Sequence, residues 1–221
     1  MFKAFCLPPV TSVPFLFFSP PHAYNFIMSN EIELKVAVGD HRAIGQALLA
    51  AGAEYLCSFI ETDRFFDTPD RRMRQADSAI RLRTLAPLGN GRDKADTRAL
   101  LTHKGPRQPS AGGLKVRPEY QTRLDDPEAM VRVLQAAGLT PMLTIQKRRT
   151  SYHLDGCQVE LDELPHLGCF VEIEGPDEQA VCAVRDRLGL TSPSITKSYL
   201  ALLDAHCGGL PQGAEVTFES A

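Results

Sequence analysis

The sequence predicts an α+β fold in which about eight antiparallel strands close into a barrel with a charged interior, with helices packed outside. Several extended segments alternate between charged and apolar residues, so each strand has one charged and one apolar face. Amphipathic helical segments lie between them, and their apolar stripes need the apolar strand faces as a packing surface. The charged faces then meet inside a barrel. The alternative is an open antiparallel sheet with one solvated face.

The strand prediction starts at Glu31–Val36, where charged and apolar residues alternate at every position. The same alternation returns in six later segments, whose charged faces carry Arg81 and Arg83; Lys104; Arg117 and Glu119; Lys147 and Arg149; Glu160 and Asp162; and Glu172 and Glu174. A solvated face normally mixes Thr, Ser, Gln and Lys, whereas these faces consist mainly of Glu, Asp, Arg and Lys. This composition favours the barrel over the open sheet.

Four helices are predicted between the strands. The first covers about residues 40–51, and the second follows a cap at Asp126 and stops at Gly138. The third covers about residues 177–188 and the fourth, a short one, about residues 198–205. The polar segments 89–97 and 105–113 are rich in glycine or proline and are predicted to be loops.

Composition excludes several classes of protein. The net charge of −3 over 221 residues argues against a nucleic-acid binder or a polybasic membrane-surface protein. After residue 27, no segment reaches the roughly 18 to 20 consecutive apolar residues of a transmembrane helix. Six cysteines are scattered without a C-x-x-C pair, which disfavours a zinc ribbon or a thioredoxin-type site and is typical of reduced thiols in a cytoplasmic protein.

The chain divides into three parts. Residues 1–27 hold six of the 11 phenylalanines, five prolines and one charged residue, Lys3, and are predicted to lie outside the fold. They form either a secretory leader, whose apolar helix the prolines would break, or a segment upstream of a natural start at Met28. Residues 28–205 form the predicted domain, and residues 206–221 are expected to be a disordered tail.

The charged faces indicate what the barrel would bind. Carboxylates in this number repel one another unless hard cations lie among them, and oxygen clusters suit Mg²⁺ or Mn²⁺. Arginine and lysine side chains hold phosphate oxygens. The opposite charges could simply pair with one another, but buried ion pairs rarely repay their desolvation cost. The combination therefore predicts a polyphosphate bound together with one or two divalent metals.

The segment Glu31–Lys35 has the E-x-E-x-K pattern that opens proteins of the CYTH superfamily, the triphosphate tunnel metalloenzymes. Later segments resemble that family in order and spacing, namely Arg64–Asp70, Ile80–Arg83, Leu101–Pro106, Lys147–Arg149, Glu160–Leu164, Leu167–Glu174 and Thr196–Leu200. The resemblance covers roughly residues 29–205. It implies an eight-stranded antiparallel tunnel with a triphosphate inside.

The resemblance also implies roles for individual residues. It makes five acids metal ligands: Glu31, Glu33, Asp162, Glu172 and Glu174. It makes eight bases phosphate ligands: Lys35, Arg81, Arg83, Lys104, Arg117, Lys147, Arg149 and Lys197. Of these, Lys35, Arg81 and Arg83 are implied to be catalytic. Gln121 departs from the family, which often has a second acid at that position, and Glu160 is interpreted as either a ligand or a residue behind the ligands.

Three functions remain open at this stage. A class IV adenylyl cyclase would convert ATP to cyclic AMP and pyrophosphate, whereas an inorganic or thiamine triphosphatase would hydrolyse the terminal phosphate. A catalytically silent module would only bind polyphosphate. The resemblance favours the cyclase, with a small triphosphate as the partner, no nucleic acid, no membrane, and a homodimer as the assembly it suggests.

Overall fold

The computed structural model describes residues 27–88, 98–110 and 113–220. Its strands are β1 (Ile27–Val38), β2 (Glu54–Asp67), β3 (Ala79–Pro87), β4 (Arg98–Lys104), β5 (Lys115–Leu124), β6 (Thr140–Leu154), β7 (Cys157–Leu164), β8 (Gly168–Glu174) and β9 (Ala214–Val216). Its helices are α1 (Arg42–Ala50), α2 (Arg72–Gln75), α3 (Pro127–Ala136), α4 (Glu178–Arg187) and α5 (Tyr199–His206). The predicted leader, apart from Ile27, and the predicted loop at 89–97 lie outside the described residues.

Eight antiparallel strands form a closed barrel, which confirms the predicted fold class over the open sheet. The strands follow the order β2-β3-β4-β5-β1-β8-β7-β6, and pairing of β2 with β6 closes the sheet. Register places charged residues of neighbouring strands side by side, as with Glu33 beside Glu174 and Glu61 beside Lys147. Because side chains alternate between the two faces of a strand, all of these charges lie on the inner face.

Most of the hydrophobic core lies between the outer face of the barrel and the helices that cover it. Helices α1 and α4 cover β1, β7 and β8, where Leu34 and Ile173 are fully buried together with Leu48 and Val181 of the helices. A smaller cluster forms on the outer face where α3 packs near β2 and β3. The apolar stripes of α1, α3 and α4 therefore bury the outer, apolar faces of the strands, as the sequence predicts. A third cluster, where α5 packs near β6, lies at one end of the inner face instead, because Leu143 and Ile145 share a strand face with Lys147 and line the cavity.

Three of the described helices, α3, α4 and α5, begin at side-chain caps. The carboxylates of Asp126 and Asp177 each accept a hydrogen bond at 2.8 Å from a backbone N–H in the first turn of α3 and α4, respectively. Ser198 caps α5 in the same way at 3.3 Å. The sequence pattern did not indicate α2, a single turn whose Met73 and Arg74 N–H groups donate to the carboxylate of Asp67. Among the described helices, none is both long and apolar enough to cross a membrane.

The predicted disordered tail is wrong for residues Ala214–Val216. These residues form β9, which pairs in parallel with β6 beside Leu143–Ile145. Val216 is buried in the cluster beneath α5. The surrounding glycines and prolines give this segment little intrinsic strand propensity, so its order depends on the free edge of β6, which a local sequence pattern cannot reveal.

Candidate active site

The interior of the barrel is a cavity of about 670 Å³. Charged side chains from all eight barrel strands form a belt around its middle. Eight carboxylates line the belt, those of Glu31, Glu33, Glu61, Asp63, Glu119, Glu160, Glu172 and Glu174. Eight cationic groups also line it, those of Lys35, Arg81, Arg83, Lys104, Lys115, Arg117, Lys147 and Arg149. Asp162, behind this surface, adds a ninth acid that pairs with Lys147 and Arg149, so the cationic groups are already matched by acids before any ligand enters.

One part of the belt is a cluster of three acids on β7 and β8. Oxygens of Glu160, Asp162 and Glu172 all lie within 4.8 Å of one another, and all three residues are buried. Arg149 on β6 contacts each of them, with its Nε donating to Asp162 at 2.6 Å and one Nη donating to Glu172 at 2.5 Å. Oxygen ligands at this spacing suit a hard divalent cation, so the cluster could hold a metal ion.

Asp162 lies behind the surface of the cavity. It has no exposed surface and accepts four hydrogen bonds, two from Arg149, one from Lys147 and one from the hydroxyl of Tyr199 at 3.0 Å. Tyr199 begins α5, and its ring lies 4.1 Å from Lys35 Nζ. Asp162 therefore orients two bases of the belt and connects them to α5.

Burial changes the charge states in this cluster. It raises the pKa of Glu160 to about 7, against the attraction of Arg149 and with the help of the neighbouring Asp162. Burial acts in the same direction on Glu172, but Lys35 and Arg149 outweigh it and hold the pKa of that carboxyl well below its usual value. Of these two lining acids, Glu172 is therefore ionised at neutral pH, whereas Glu160 titrates near it.

The second part of the belt combines acids and lysines on β1, β4 and β5. Lys104 Nζ lies 2.9 Å from Glu31 Oε1 and also contacts Glu119, while Lys115 Nζ lies 2.6 Å from Glu33 Oε2. Burial would raise the pKa of Glu31, but Lys104 and Lys115 hold it well below its usual value. Burial lowers the pKa of Lys104 to about 8 despite the attraction of Glu31.

Lys35 joins the two parts of the belt. Its Nζ lies 3.2 Å from Glu33 Oε1 and 3.0 Å from Glu172 Oε1. Glu174, beside Glu33 in the register, has no hydrogen bond or ion pair with the residues that the structure describes. Burial, together with the charges of Glu31 and Glu160, raises the pKa of Glu174 to about 8. Its carboxyl is therefore largely protonated at neutral pH and becomes a charged ligand only when a cation is present.

The two arginines of β3 differ in their pairing. Arg83 donates to both oxygens of Asp63, at 2.6 and 2.7 Å, and lies 2.8 Å from Glu61. Arg81 reaches only Asp63, at 3.8 Å, and its buried Nε has no hydrogen-bond partner among the described residues. A buried guanidinium nitrogen without an acceptor is costly, and an incoming phosphate oxygen would satisfy it.

The structure brings together all but one of the residues that the sequence predicts for the site. Lys197 is exposed, and its backbone oxygen, not its ammonium group, is the atom near the belt, where it accepts from Lys35 at 3.4 Å. The extended segment before α5 turns the Lys197 side chain outward. Arg117 lines the cavity, but its guanidinium is held by the backbone oxygens of Gly105 and Asp77.

The sequence reasoning missed three belt residues, Glu61, Asp63 and Lys115. Glu61 and Asp63 share one face of β2, in the same acid-x-acid pattern as Glu31 and Glu33. This repeat could have identified the two acids as inner-face residues. The surrounding β2 sequence, however, mixes polar and aromatic residues without regular alternation. Glu160 lies in the acid cluster itself and lines the cavity.

Comparisons with known proteins agree with this geometry. The CYTH domain matches residues 29–199. The adenylate cyclase CyaB of Aeromonas hydrophila is 28% identical over 185 residues, which cover 79% of this chain and 88% of CyaB. The structure of PH1819 from Pyrococcus horikoshii OT3 has a TM-score of 0.66 at 26% identity, covering 78% of this chain and 97% of that chain. HpAC1 from Hippeastrum, described as having a dominant triphosphatase activity, has a TM-score of 0.62 at 19% identity, covering 81% and 97%.

Proposed function

Because this chain belongs to the CYTH family, whose members bind triphosphates, we propose that it is a metal-dependent enzyme acting on a nucleoside or other organic triphosphate. The balance of charges in the belt is the observation that carries this proposal. The bases of the belt already face a similar number of acids, so a bound triphosphate would leave a negative excess in this buried cavity. Divalent cations offset such an excess, and the buried acids offer the oxygen ligands they prefer.

The metal would be Mg²⁺ or Mn²⁺, held by two groups of acids. Glu160, Asp162 and Glu172 form one group. The second group consists of Glu31, Glu33 and Glu174, around the register pair of Glu33 and Glu174. A bound divalent cation neutralises phosphate oxygens and stabilises the charge that develops on them. The raised pKa values of Glu160 and Glu174 mean that cation binding there releases protons.

The belt residues would hold the phosphates. Arg81 has an unsatisfied guanidinium nitrogen, and Lys35 and Lys104 carry ammonium groups that can exchange carboxylate partners for phosphate oxygens. Lys147 and Arg149 would orient the phosphate chain from the opposite wall of the barrel. Phosphoryl transfer needs positioning and charge stabilisation more than a covalent nucleophile, and this belt supplies both.

We favour adenylyl cyclase chemistry, in line with the name of CyaB. The ribose 3′ oxygen would attack the α-phosphorus of ATP and lose its proton, and the bond from that phosphorus to the bridging oxygen would break. Pyrophosphate would leave into the Arg and Lys groups of the belt, which stabilise the charge on the departing oxygen. Binding inside the barrel would hold the ribose 3′ oxygen close to the α-phosphorus, which favours the intramolecular attack.

A triphosphatase is the second candidate, because HpAC1 shares this fold and is described as having that activity. Water would attack the terminal phosphorus, and orthophosphate and a diphosphate would form. The same bases would stabilise the transition state in either reaction. The difference lies in which phosphorus the attacking oxygen reaches.

Product identification tests the proposal directly. The purified protein is incubated with ATP, inorganic tripolyphosphate and thiamine triphosphate, each with Mg²⁺ or Mn²⁺, and the products are separated. Cyclic AMP with pyrophosphate identifies a cyclase, and orthophosphate identifies a triphosphatase. Excess chelator should abolish either activity, and full turnover in its presence would contradict the metal role. Binding without turnover in all conditions would identify a silent polyphosphate-binding module and overturn the enzymatic proposal.

A further inference from the structure

The segment Ile195–Tyr199 leads into α5, and its one charged side chain, that of Lys197, is exposed. Three other groups of this segment nevertheless converge on Lys35. The Ile195 N–H donates to the backbone oxygen of Lys35 at 2.8 Å. The Lys197 backbone oxygen accepts from Lys35 Nζ at 3.4 Å, and the centroid of the Tyr199 ring lies 4.1 Å from the same nitrogen. The segment therefore contacts both the backbone and the ammonium group of one belt lysine.

The Tyr199 ring is itself held in place by several contacts. Ser198 caps α5 by accepting from the Ala201 N–H, so the helix begins directly at Tyr199. The ring meets Phe170 of β8 edge to face, with centroids 5.2 Å apart and an angle of 72° between the ring planes. The Tyr199 hydroxyl donates to Asp162 Oδ2 at 3.0 Å. Because both ends of the side chain are fixed, the ring can in turn fix the groups that lie against it.

Lys35 has two kinds of partner. Glu33 and Glu172 are charged and lie 3.2 and 3.0 Å from its Nζ, and both belong to the acids proposed to bind cations. The Tyr199 ring and the Lys197 backbone oxygen are neutral. An aromatic face attracts an ammonium group without carrying the formal charge that would repel a phosphate. The neutral partners can therefore hold Lys35 even when its carboxylate partners bind another cation.

The same ring lies near a second lysine of the belt. Its centroid is 5.5 Å from Lys147 Nζ, which also donates to Asp162 Oδ2 at 3.1 Å. That oxygen is the one that accepts from the Tyr199 hydroxyl. Lys35 is on β1 and Lys147 is on β6, and these two strands do not pair with each other. Sheet register alone therefore does not set the distance between the two ammonium groups, whereas Tyr199 contacts both.

We propose that Tyr199 is a positioning residue that holds the ammonium groups of Lys35 and Lys147 in place for phosphate oxygens, through its ring on Lys35 and its hydroxyl on Asp162. This inference rests on the proposed function and extends it to an uncharged residue that acts through the two lysines. It also gives the segment Ile195–Tyr199 a role in the site that does not depend on the Lys197 side chain.

Affinity for inorganic tripolyphosphate tests this role. Its dissociation constant is measured by calorimetry in excess chelator for the wild type, Tyr199→Leu and Tyr199→Phe, and KM and kcat are measured with Mg²⁺. Loss of the ring in Tyr199→Leu should raise the dissociation constant and KM about tenfold, the scale of a desolvated contact between a cation and an aromatic face. Tyr199→Phe keeps the ring and should stay within about threefold of the wild type.

A double-mutant cycle shows whether Tyr199 acts through Lys35. In protein that already carries Lys35→Gln, the change Tyr199→Leu should lose most of its effect on tripolyphosphate affinity, because the ammonium group that the ring holds is absent. Leu203→Ala is the stability control, since Leu203 is a fully buried residue of α5 that does not line the cavity. It should lower the thermal midpoint and leave the dissociation constant nearly unchanged.

The possible outcomes decide between positioning and simple packing. Equal losses of affinity in Tyr199→Phe and Tyr199→Leu would overturn the role of the ring. Full additivity with Lys35→Gln, or an equal loss of affinity in Leu203→Ala, would reduce Tyr199 to a packing residue. If Tyr199→Leu does not fold, a fluorinated phenylalanine at this position keeps the ring shape, weakens its attraction for cations and should reproduce the loss of affinity.

The measurements also separate this inference from the proposed function. If tripolyphosphate binds but no triphosphate is turned over, the proposed function fails, and the dissociation constants of the variants still decide the role of Tyr199. If the wild type neither binds tripolyphosphate nor turns over any triphosphate, both proposals are overturned.

Discussion

The inner and outer faces of the barrel come from the same strands but are held together by different forces. On the outer face, Leu34 and Ile173 are buried against α4 by apolar contact. On the inner face, their sequence neighbours Lys35 and Glu172 are nearly as buried but interact through ion pairs. Apolar burial is strongly stabilising, whereas buried ion pairs often only offset their desolvation. The outer face therefore holds the fold together, and the inner face is retained for binding.

The largest expected effect comes from Arg149→Ala. This change leaves Glu160, Asp162 and Glu172 without their shared guanidinium, and breaking such buried pairs costs about 3 to 5 kcal/mol of unfolding free energy. Activity should be lost as well. Urea denaturation at pH 8 and at pH 5.5 measures the effect, and the loss should be smaller at pH 5.5, because the orphaned carboxyls can be protonated there. An equal loss of unfolding free energy at both pH values would contradict the ion pairs assigned to Arg149.

An outer-face substitution should act on stability alone. Ile173→Ala removes a fully buried side chain next to Glu172 and Glu174, at a cost of about 2 to 5 kcal/mol. Because its side chain points away from the cavity, kcat/KM measured well below the unfolding temperature should change little. A large loss of kcat/KM in protein that is still folded would show that the two faces are not independent.

Arg81→Ala should have the opposite effects from Ile173→Ala, with a large loss of activity and little change in stability. Its guanidinium has one long ion pair and an unsatisfied nitrogen, so its removal should change the unfolding free energy by less than about 1 kcal/mol. The rate should fall on the order of 10²-fold, because a phosphate-stabilising charge is lost. Steady-state kinetics and thermal unfolding measure the two effects. The exposed Arg42→Ala is the control, and similar rate losses in both variants would contradict the inner role of Arg81.

The sequence predicts the barrel from the segments in which charged and apolar residues alternate regularly. Charged and apolar residues alternate at every position over Glu31–Val36 in β1 and over Val171–Glu174 in β8. The closed barrel then follows from the need of the helices for an apolar surface. The cap at Asp126 was also predicted, since capping depends on local sequence. These features are predictable because the physical cause lies within a few residues of the effect.

The remaining features depend on contacts distant in sequence. β2 pairs with β6 across more than 70 residues, and this pairing has two register shifts, so its charged pair, Glu61 and Asp63, did not stand out. Lys197 was expected to hold phosphate, yet the path of the chain into α5 leaves its side chain exposed. β9 is ordered only because an edge of β6 is available. None of these outcomes follows from a local pattern.

The smallest expected effect is a shift in the pH dependence of kcat/KM in the Lys104→Arg variant. Burial lowers the pKa of Lys104 to about 8, so the ammonium group loses its proton, and its attraction for phosphate, as the pH rises through that value. The kcat/KM of the wild type should therefore fall above pH 8. Arginine stays charged in this range, so the variant should keep its activity to higher pH.

Lys115→Arg is the matched control for this prediction. Burial lowers the pKa of Lys115, but Glu33 and Glu31 outweigh it and raise that pKa above its usual value, so this lysine remains protonated in the wild type. Its replacement by arginine should leave the alkaline limb of the pH profile near pH 8. If both variants shifted the limb equally, or neither did, a group other than Lys104 would be responsible for it. A shift confined to Lys104→Arg would instead place this lysine among the groups whose charge the bound phosphates require.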